Sequence, residues 1–282
     1  MNKSKILLLR GENIAQPIAF LWKHDIIWTY PVYTRHYETR IEKRCTMARK
    51  ANPLKIAIIG AATELFLENG FSKTTAAAIC KKAKIGTGNL TCHFPTKEHI
   101  LAVLVKMMID FQWKEMEIAT DEGASSLLAY CLELTTMVAV SEEVPQMQDF
   151  FWAAYSHPMT LDLIRANDTE KIKRVFAEFT TDWEEERLVE TEALISGIEY
   201  ATLMRTAHSA SAPHRIEGAL NAIMMLFGVP EELRLTKVAK VLAMDYRAIG
   251  NRIYKEFKQY VTETNEHALD EVLKYTKIRT YR

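Results

Sequence analysis

Residues 74–98 read Thr74-Thr75-Ala76-Ala77-Ala78-Ile79-Cys80-Lys81-Lys82-Ala83-Lys84-Ile85-Gly86-Thr87-Gly88-Asn89-Leu90-Thr91-Cys92-His93-Phe94-Pro95-Thr96-Lys97-Glu98. Two short helices are packed into this stretch with almost no linker. The Thr74 or Thr75 hydroxyl can cap the free backbone N–H groups of a helix running through Ile79 to about Ala83. Gly86 breaks the chain, and a second helix covers 87–93. Phe94-Pro95-Thr96 closes that helix, and Thr96 caps the next, which carries Ile100, Leu101, Leu104, Val105, Met108 and Phe111 on helical spacing. Upstream, a helix opens near Pro53, where a proline costs no hydrogen bond. Its apolar stripe is Ile58, Ala62, Leu65 and Phe66, and it stops at Asn69-Gly70.

The same period continues outward. Further helices are expected over 124–140, 143–156, 159–180, 184–208, 214–227, 231–262 and 266–277, with breaks at Gly123, Pro145, His157-Pro158, Pro213 and Gly228-Val229-Pro230. Only 10 Gly and 8 Pro punctuate 282 residues, and short alternating β-branched runs are nearly absent. The fold class is therefore all-α: a three-helix head at 47–98 and a larger helical body at 99–282. Residues 1–46 differ, having no clear period and holding Trp22, Trp28, Tyr30, Tyr33 and Tyr37. They precede Met47-Ala48-Arg49-Lys50, which reads like a natural start. Two readings stand for this extension: an upstream translation artefact, or a basic arm that adds DNA contacts.

Composition narrows the function. No apolar run approaches the ~18–20 residues of a membrane-spanning helix. The N-terminal run Ile6–Leu9 is too short for a secretory signal, so a cytoplasmic protein is expected. Cys45, Cys80, Cys92 and Cys131 lie far apart without a C-x-x-C pair and read as reduced thiols. The net charge of zero hides an asymmetry: +4 over 1–46, +5 over 47–98 and −9 over 99–282. A basic head on an acidic body suits docking on phosphate. An enzyme is disfavoured, because Glu-x-x-His pairs, H-E-x-x-H, G-x-S-x-G, Walker A and G-x-G-x-x-G motifs are missing. No metal site, catalytic residue or cofactor is expected.

The informative unit is the helix pair at 74–83 and 87–93. The second helix of such a pair can enter the major groove while the first crosses the backbone. Lys73, Lys81, Lys82, Lys84 and Lys97 flank it, and Gly86 and Gly88 leave little bulk near the start of the second helix.

With these landmarks in register, Ala61-Ala62-Thr63-Glu64-Leu65-Phe66-Leu67-Glu68-Asn69-Gly70-Phe71-Ser72-Lys73-Thr74-Thr75, Ile79–Leu90 and His93–Glu98 resemble the opening of the TetR/AcrR family of regulators. The resemblance covers about fifty residues. Thr91 stands where the family usually has a tyrosine, and Lys84 and Gly86 replace its usual glycine and serine. The resemblance implies a helix-turn-helix DNA-binding domain, a ligand-responsive helical domain and a homodimer acting on double-stranded DNA at a palindromic operator, as a repressor released by a small-molecule effector. Carried over position by position, Thr87 and Asn89 are candidates for base contacts. Asparagine can pair bidentately with adenine. Thr74, Thr75, Thr91, His93 and Lys97 are candidates for phosphate.

The resemblance also implies an effector cavity between the fourth and eighth helices, for which Met108, Phe111, Met137, Phe151, Trp152 and Tyr155 are the candidate lining. Methionine and aromatic side chains suit an adaptable apolar pocket. For dimerisation, Leu194, Ile195, Ile198, Ala201, Leu203 and Met204 are expected to face Ile216, Leu220, Ile223, Met224 and Phe227 in a helical hairpin, with small residues such as Gly197, Gly218 and Ala222 allowing close approach. The same hairpin could instead be intramolecular core. The competing function classes are a helix-turn-helix module that binds protein without DNA, and a helical enzyme.

Overall fold

The computed structural model describes residues 53–122 and 126–275, all within one compact unit, and the extension at 1–46 lies outside them. Among the described residues every regular element is helical. The head comprises α1 (Pro53–Asn69), α2 (Ala76–Ala83) and α3 (Thr87–His93). The body comprises α4 (Lys97–Thr120), α5 (Leu127–Glu143), α6 (Pro145–Ser156), α7 (Pro158–Val175), α8 (Glu185–Leu203), α9 (Ala212–Leu226), α10 (Glu231–Ala243), α11 (Tyr246–Glu263) and α12 (Glu266–Tyr275). No described helix is long and apolar enough to cross a membrane.

Helix α5 is the axis of the body. Its sequence is apolar almost all round, and 14 of its 17 residues are buried, so it must be surrounded. It packs against α4, α6, α8, α9, α10 and α11. Its approach to α11 is close because of Gly250: a Cβ there would stand 2.9 Å from a Val140 methyl and 3.1 Å from the Thr136 carbonyl oxygen. Prolines at the first turns of α6 and α7 fix where those helices start, since the lost N–H would have had no partner there.

Three expected helices end or divide differently. The helix expected over 159–180 leaves α geometry at Phe176 (φ −106°, ψ 18°), and a single 3-10 turn, Ala177–Phe179, follows. The buried Phe176 ring stacks on Phe227 with centroids 3.8 Å apart, a contact made across the body. The helix expected over 184–208 stops at Leu203. Arg215 collects the Thr202 and Ala210 carbonyls at 3.2 and 2.9 Å, which satisfies the loop that replaces the last turn. The long helix expected over 231–262 is two helices. Asp245 caps the second by accepting from the Ala248 N–H at 3.1 Å, with no Gly or Pro to announce the break. Cys80 and Cys131 are free and buried, in line with the reduced-thiol reading, whereas Cys92 is not free.

The head is fastened to the body by polar contacts around the end of α1. Tyr254 on α11 donates to the Leu67 carbonyl at 3.2 Å, and Gln146 on α6 donates to the Glu68 carbonyl at 3.2 Å. Asp149 on α6 accepts from the Ser72 N–H at 2.8 Å and also from the Ser72 hydroxyl. Gly70 makes this last contact possible. It has φ +89°, and a Cβ would meet the Asp149 carboxylate at 2.7 Å.

Candidate nucleic-acid interface and effector cavity

The α2–α3 unit is built by caps. Thr75 accepts from the Ala78 N–H at 3.1 Å to open α2. Lys84 closes it in the left-handed conformation at φ 55°, a position where the missing Cβ of glycine would cost less. Helix α3 buries Leu90 as its anchor and leaves Thr87, Gly88, Asn89 and Thr91 exposed. No side chain or backbone approaches the missing Cβ of Gly86 or Gly88, so the entry to α3 presents bare backbone. Lys73, Lys81 and Lys84 are exposed and form no ion pair with any described residue, whereas Lys82 is paired with Glu64.

The residues singled out from the sequence divide into two groups. Thr75, Thr87, Asn89 and Thr91 are each exposed. The Thr91 hydroxyl, however, donates back to the Thr87 carbonyl at 3.1 Å, so its proton is engaged within α3. The others face inward. Thr74 is buried, and its hydroxyl donates to the Gly70 carbonyl at 2.8 Å and lies 3.2 Å from the Leu65 carbonyl. It locks the turn after α1 instead of offering a donor to phosphate. Lys97 donates to the Phe71 carbonyl at 2.8 Å and the Thr74 carbonyl at 3.1 Å, with its ammonium 4.1 Å above the Phe71 ring. His93 is half-buried with an unpartnered Nδ1. Burial, helped by the Lys55 charge, lowers its pKa and keeps the ring neutral near pH 7.

Within the body, α4 to α8 line a cavity of about 40 Å³. Of the six candidate lining residues, Met108, Met137, Phe151 and Tyr155 border it. Phe111 and Trp152 do not. Phe111 turns to α11, stacking on Tyr260 with centroids 4.9 Å apart, and Trp152 is 47% exposed on the far side of α6. Successive helix residues stand about 100° apart; Phe150, Phe151 and Tyr155 take the inner side of α6, and Trp152 falls on the outer one. A second gap of about 20 Å³ lies across Met108, Met137 and Phe151, which form the partition between the two.

One wall of the cavity is charged, which the sequence reading did not find. Lys171 on α7 pairs with Glu133 on α5 at 2.7 Å and with Asp168 at 2.9 Å. Glu199 on α8 accepts from the Tyr155 hydroxyl at 2.9 Å. Burial alone would lower the Lys171 pKa, but Asp168 and Glu133 outweigh it and hold the ammonium charged. Burial, and next the Asp168 charge, raise the carboxyl pKa of Glu192 and Glu199. The available signal was Glu133, the only charged residue in the apolar run Leu127–Val140. A lone acid inside a buried helix demands a partner.

Geometry thus defines a helix-turn-helix head, its second helix exposing small polar residues after a helix that carries exposed lysines, on a helical body with a cavity. Residues 58–104 match the family described as "Bacterial regulatory proteins, tetR family". That match takes in most of α1, all of α2 and α3 and the start of α4. The chain is 36% identical over 87 residues to the HTH-type transcriptional regulator QacR of Staphylococcus aureus, a span covering 29% of this chain and 46% of that protein. It is 39% identical over 59 residues to the HTH-type transcriptional regulator UidR of Escherichia coli K12, covering 21% and 30%. The matched span is thus less than half the length of either relative. A crystal structure of a gamma-butyrolactone receptor (ArpA-like protein) aligns over 72% of this chain and 97% of its own, with 18% identity and a TM-score of 0.38, a superposition too loose to bear on the body.

Proposed function

We propose that this protein is a sequence-specific, DNA-binding transcriptional regulator of the cytoplasm, acting without catalysis as a repressor that a small-molecule effector releases. The observation that carries the reading is the exposure of Thr87 and Asn89 on α3, preceded by Lys73, Lys81 and Lys84, which are exposed and form no ion pair with any described residue. Thr87 and Asn89 address base edges in the major groove. Thr75 and the three lysines hold phosphate, with Thr91 contributing once its hydroxyl rotates away from Thr87.

Release works through α6. That helix gives Phe150, Phe151 and Tyr155 to the cavity and Gln146 and Asp149 to the head. A ligand that forces the partition apart must shift α6, and α6 carries the turn before α2 with it. The effector site therefore comprises Met108, Met137, Phe151 and Tyr155, with the charged wall opposite.

The acting species is a homodimer. The inner sides of α8 and α9 are core: Ile195, Leu203, Ile216, Leu220, Ile223 and Met224 are buried within one chain. Their outer sides expose Val189, Leu194 and Met225, with Gly197 and Gly218 opening on empty space. A second copy fits this face, and the resulting two-fold pair would read a palindromic operator.

Titrating the effector-free protein against duplex DNA at several salt concentrations tests the reading. The expected result is affinity that falls with salt by ~0.9 logarithmic units per decade for each phosphate neutralised. Indifference to duplex DNA in dilute buffer would end it.

A further inference from the structure

Resting on the effector reading above, we infer that the cavity takes a small organic monocation, an amine or quaternary ammonium with a compact apolar or aromatic body. Glu133, Asp168 and Glu199 line one wall and Glu192 stands behind it, and among the described residues only Lys171 lies fully among them as a counter-charge. Lys171 is committed to Glu133 and Asp168. Arg165, at the edge, donates to the Ser196 hydroxyl at 2.9 Å and the Ala193 carbonyl at 3.5 Å, and to no carboxylate among the described residues. With one ammonium against four carboxyls, Glu192 and Glu199 hold protons in the unliganded protein, and a bound cation would take the place of a proton.

Glu192 shows where the deficit sits. Its side chain is 0% exposed, and neither carboxyl oxygen has a hydrogen-bond partner. The charged groups around it are Asp168 and Glu199, which line the cavity, together with Lys171 and Arg165. Glu192 and Glu199 are seven residues apart on α8 and so share one face. The buried Tyr130 hydroxyl, in the field of the same acids, is also unpartnered. A buried carboxyl left this way is costly unless it is protonated or meets a cation.

The rest of the cavity specifies what kind of cation. Among the described residues no group of three acids or histidines is placed to hold a metal ion, so the carboxylates are too spread for an inorganic centre. The opposite wall is Val105, Met108, Met137, Phe150, Phe151 and Ile164. Aromatic faces attract a cation directly, and methionines yield to an apolar body. Swinging Met108 and Met137 would join the cavity to the second gap beyond them, and the apolar wall must yield further to seat that body.

The test uses three probes of one shape on the full chain: benzyltrimethylammonium, its neutral carbon isostere neopentylbenzene, and phenylmethanesulfonate. Thermal melting and tryptophan fluorescence report binding. The expected result is stabilisation by the ammonium alone, weakened at least tenfold in Glu192→Gln and Glu199→Gln, each verified as folded by circular dichroism. Should one variant not fold, the three-probe comparison on the unaltered protein still decides. The inference is overturned if the neutral or anionic probe stabilises as well as the ammonium, if the ammonium does not bind, or if the folded variants bind it undiminished. Duplex-DNA binding by the same unliganded protein separates the two readings. Intact DNA binding without cation preference removes only the ligand class, whereas absent DNA binding removes the regulator itself.

Discussion

Replacing Lys97 by methionine separates a structural cation from a DNA-contacting one. The substitution keeps most of the aliphatic stem and removes the ammonium, which donates to the Phe71 and Thr74 carbonyls at 2.8 and 3.1 Å and sits 4.1 Å above the Phe71 ring. Hydrogen bonds to a charged group contribute ~1.5–3 kcal/mol each when buried. The cation–π contact adds ~0.5–1 kcal/mol at exposed sites. Lys97 is only half-buried, so water can replace part of this, and a net loss of ~1–2 kcal/mol is expected. Urea unfolding followed by circular dichroism measures that loss. In parallel, the salt dependence of binding to an arbitrary duplex counts phosphate contacts, each giving ~0.9 units of slope. The structure predicts lower stability with the slope nearly intact. A slope reduced by about one unit, at unchanged stability, would refute the assignment and return Lys97 to the phosphate contacts.

Other perturbations test different parts of the molecule. Gly250→Ala places a methyl 2.9 Å from Val140 and should cost ~1–3 kcal/mol by overpacking α11 on α5, read as a lower melting temperature; equal or greater stability would contradict that close approach. Asp149→Ala removes the acceptor of both Ser72 hydrogen bonds, so amide exchange over residues 70–75 should accelerate while the cavity walls stay protected. For the dimer, Ala201→Glu on the exposed side of α8 should yield monomers by light scattering, and an unchanged mass would move the interface elsewhere.

The buried acids also set a pH dependence. Glu133, Glu192 and Glu199 have raised pKa values, mainly through burial, so the native state holds more protons than the unfolded chain above the ordinary carboxyl value of 4.5. Their contribution to the stability of the unliganded protein should therefore be full below that value and decline as pH rises through neutrality. Glu192→Gln should flatten the decline, and a melting temperature that climbs over the same range would show these groups to be paired. Glu122 works in the opposite sense. Although burial opposes it, hydrogen bonds from Lys240, Lys237 and Ser126 lower its pKa to about 2, so its contribution fades as pH falls from 4.5 toward that value.

Local rules decided much of the architecture before any tertiary contact was known. Thr75, Lys84 and Gly86 punctuate α2 and α3, and Pro145 and Pro158 start α6 and α7, because caps and prolines act on the nearest backbone groups within one turn. The apolar density of Leu127–Val140 likewise announced a buried helix. Which side each polar group would face was not legible. Thr74 and Lys97 have the composition of phosphate ligands, yet their partners are the Gly70, Phe71 and Thr74 carbonyls, brought to them only when the turn folds onto α4. Trp152 and Phe151 are adjacent in sequence and opposite in space. The acid-rich wall draws Glu133, Asp168 and Glu199 from three helices, with Glu192 behind it, and no local pattern links residues so far apart. Sequence carries the information for elements because their hydrogen bonds are short-range. Assignment of side chains to a site waits on packing, which alone decides which distant charges share one enclosed space.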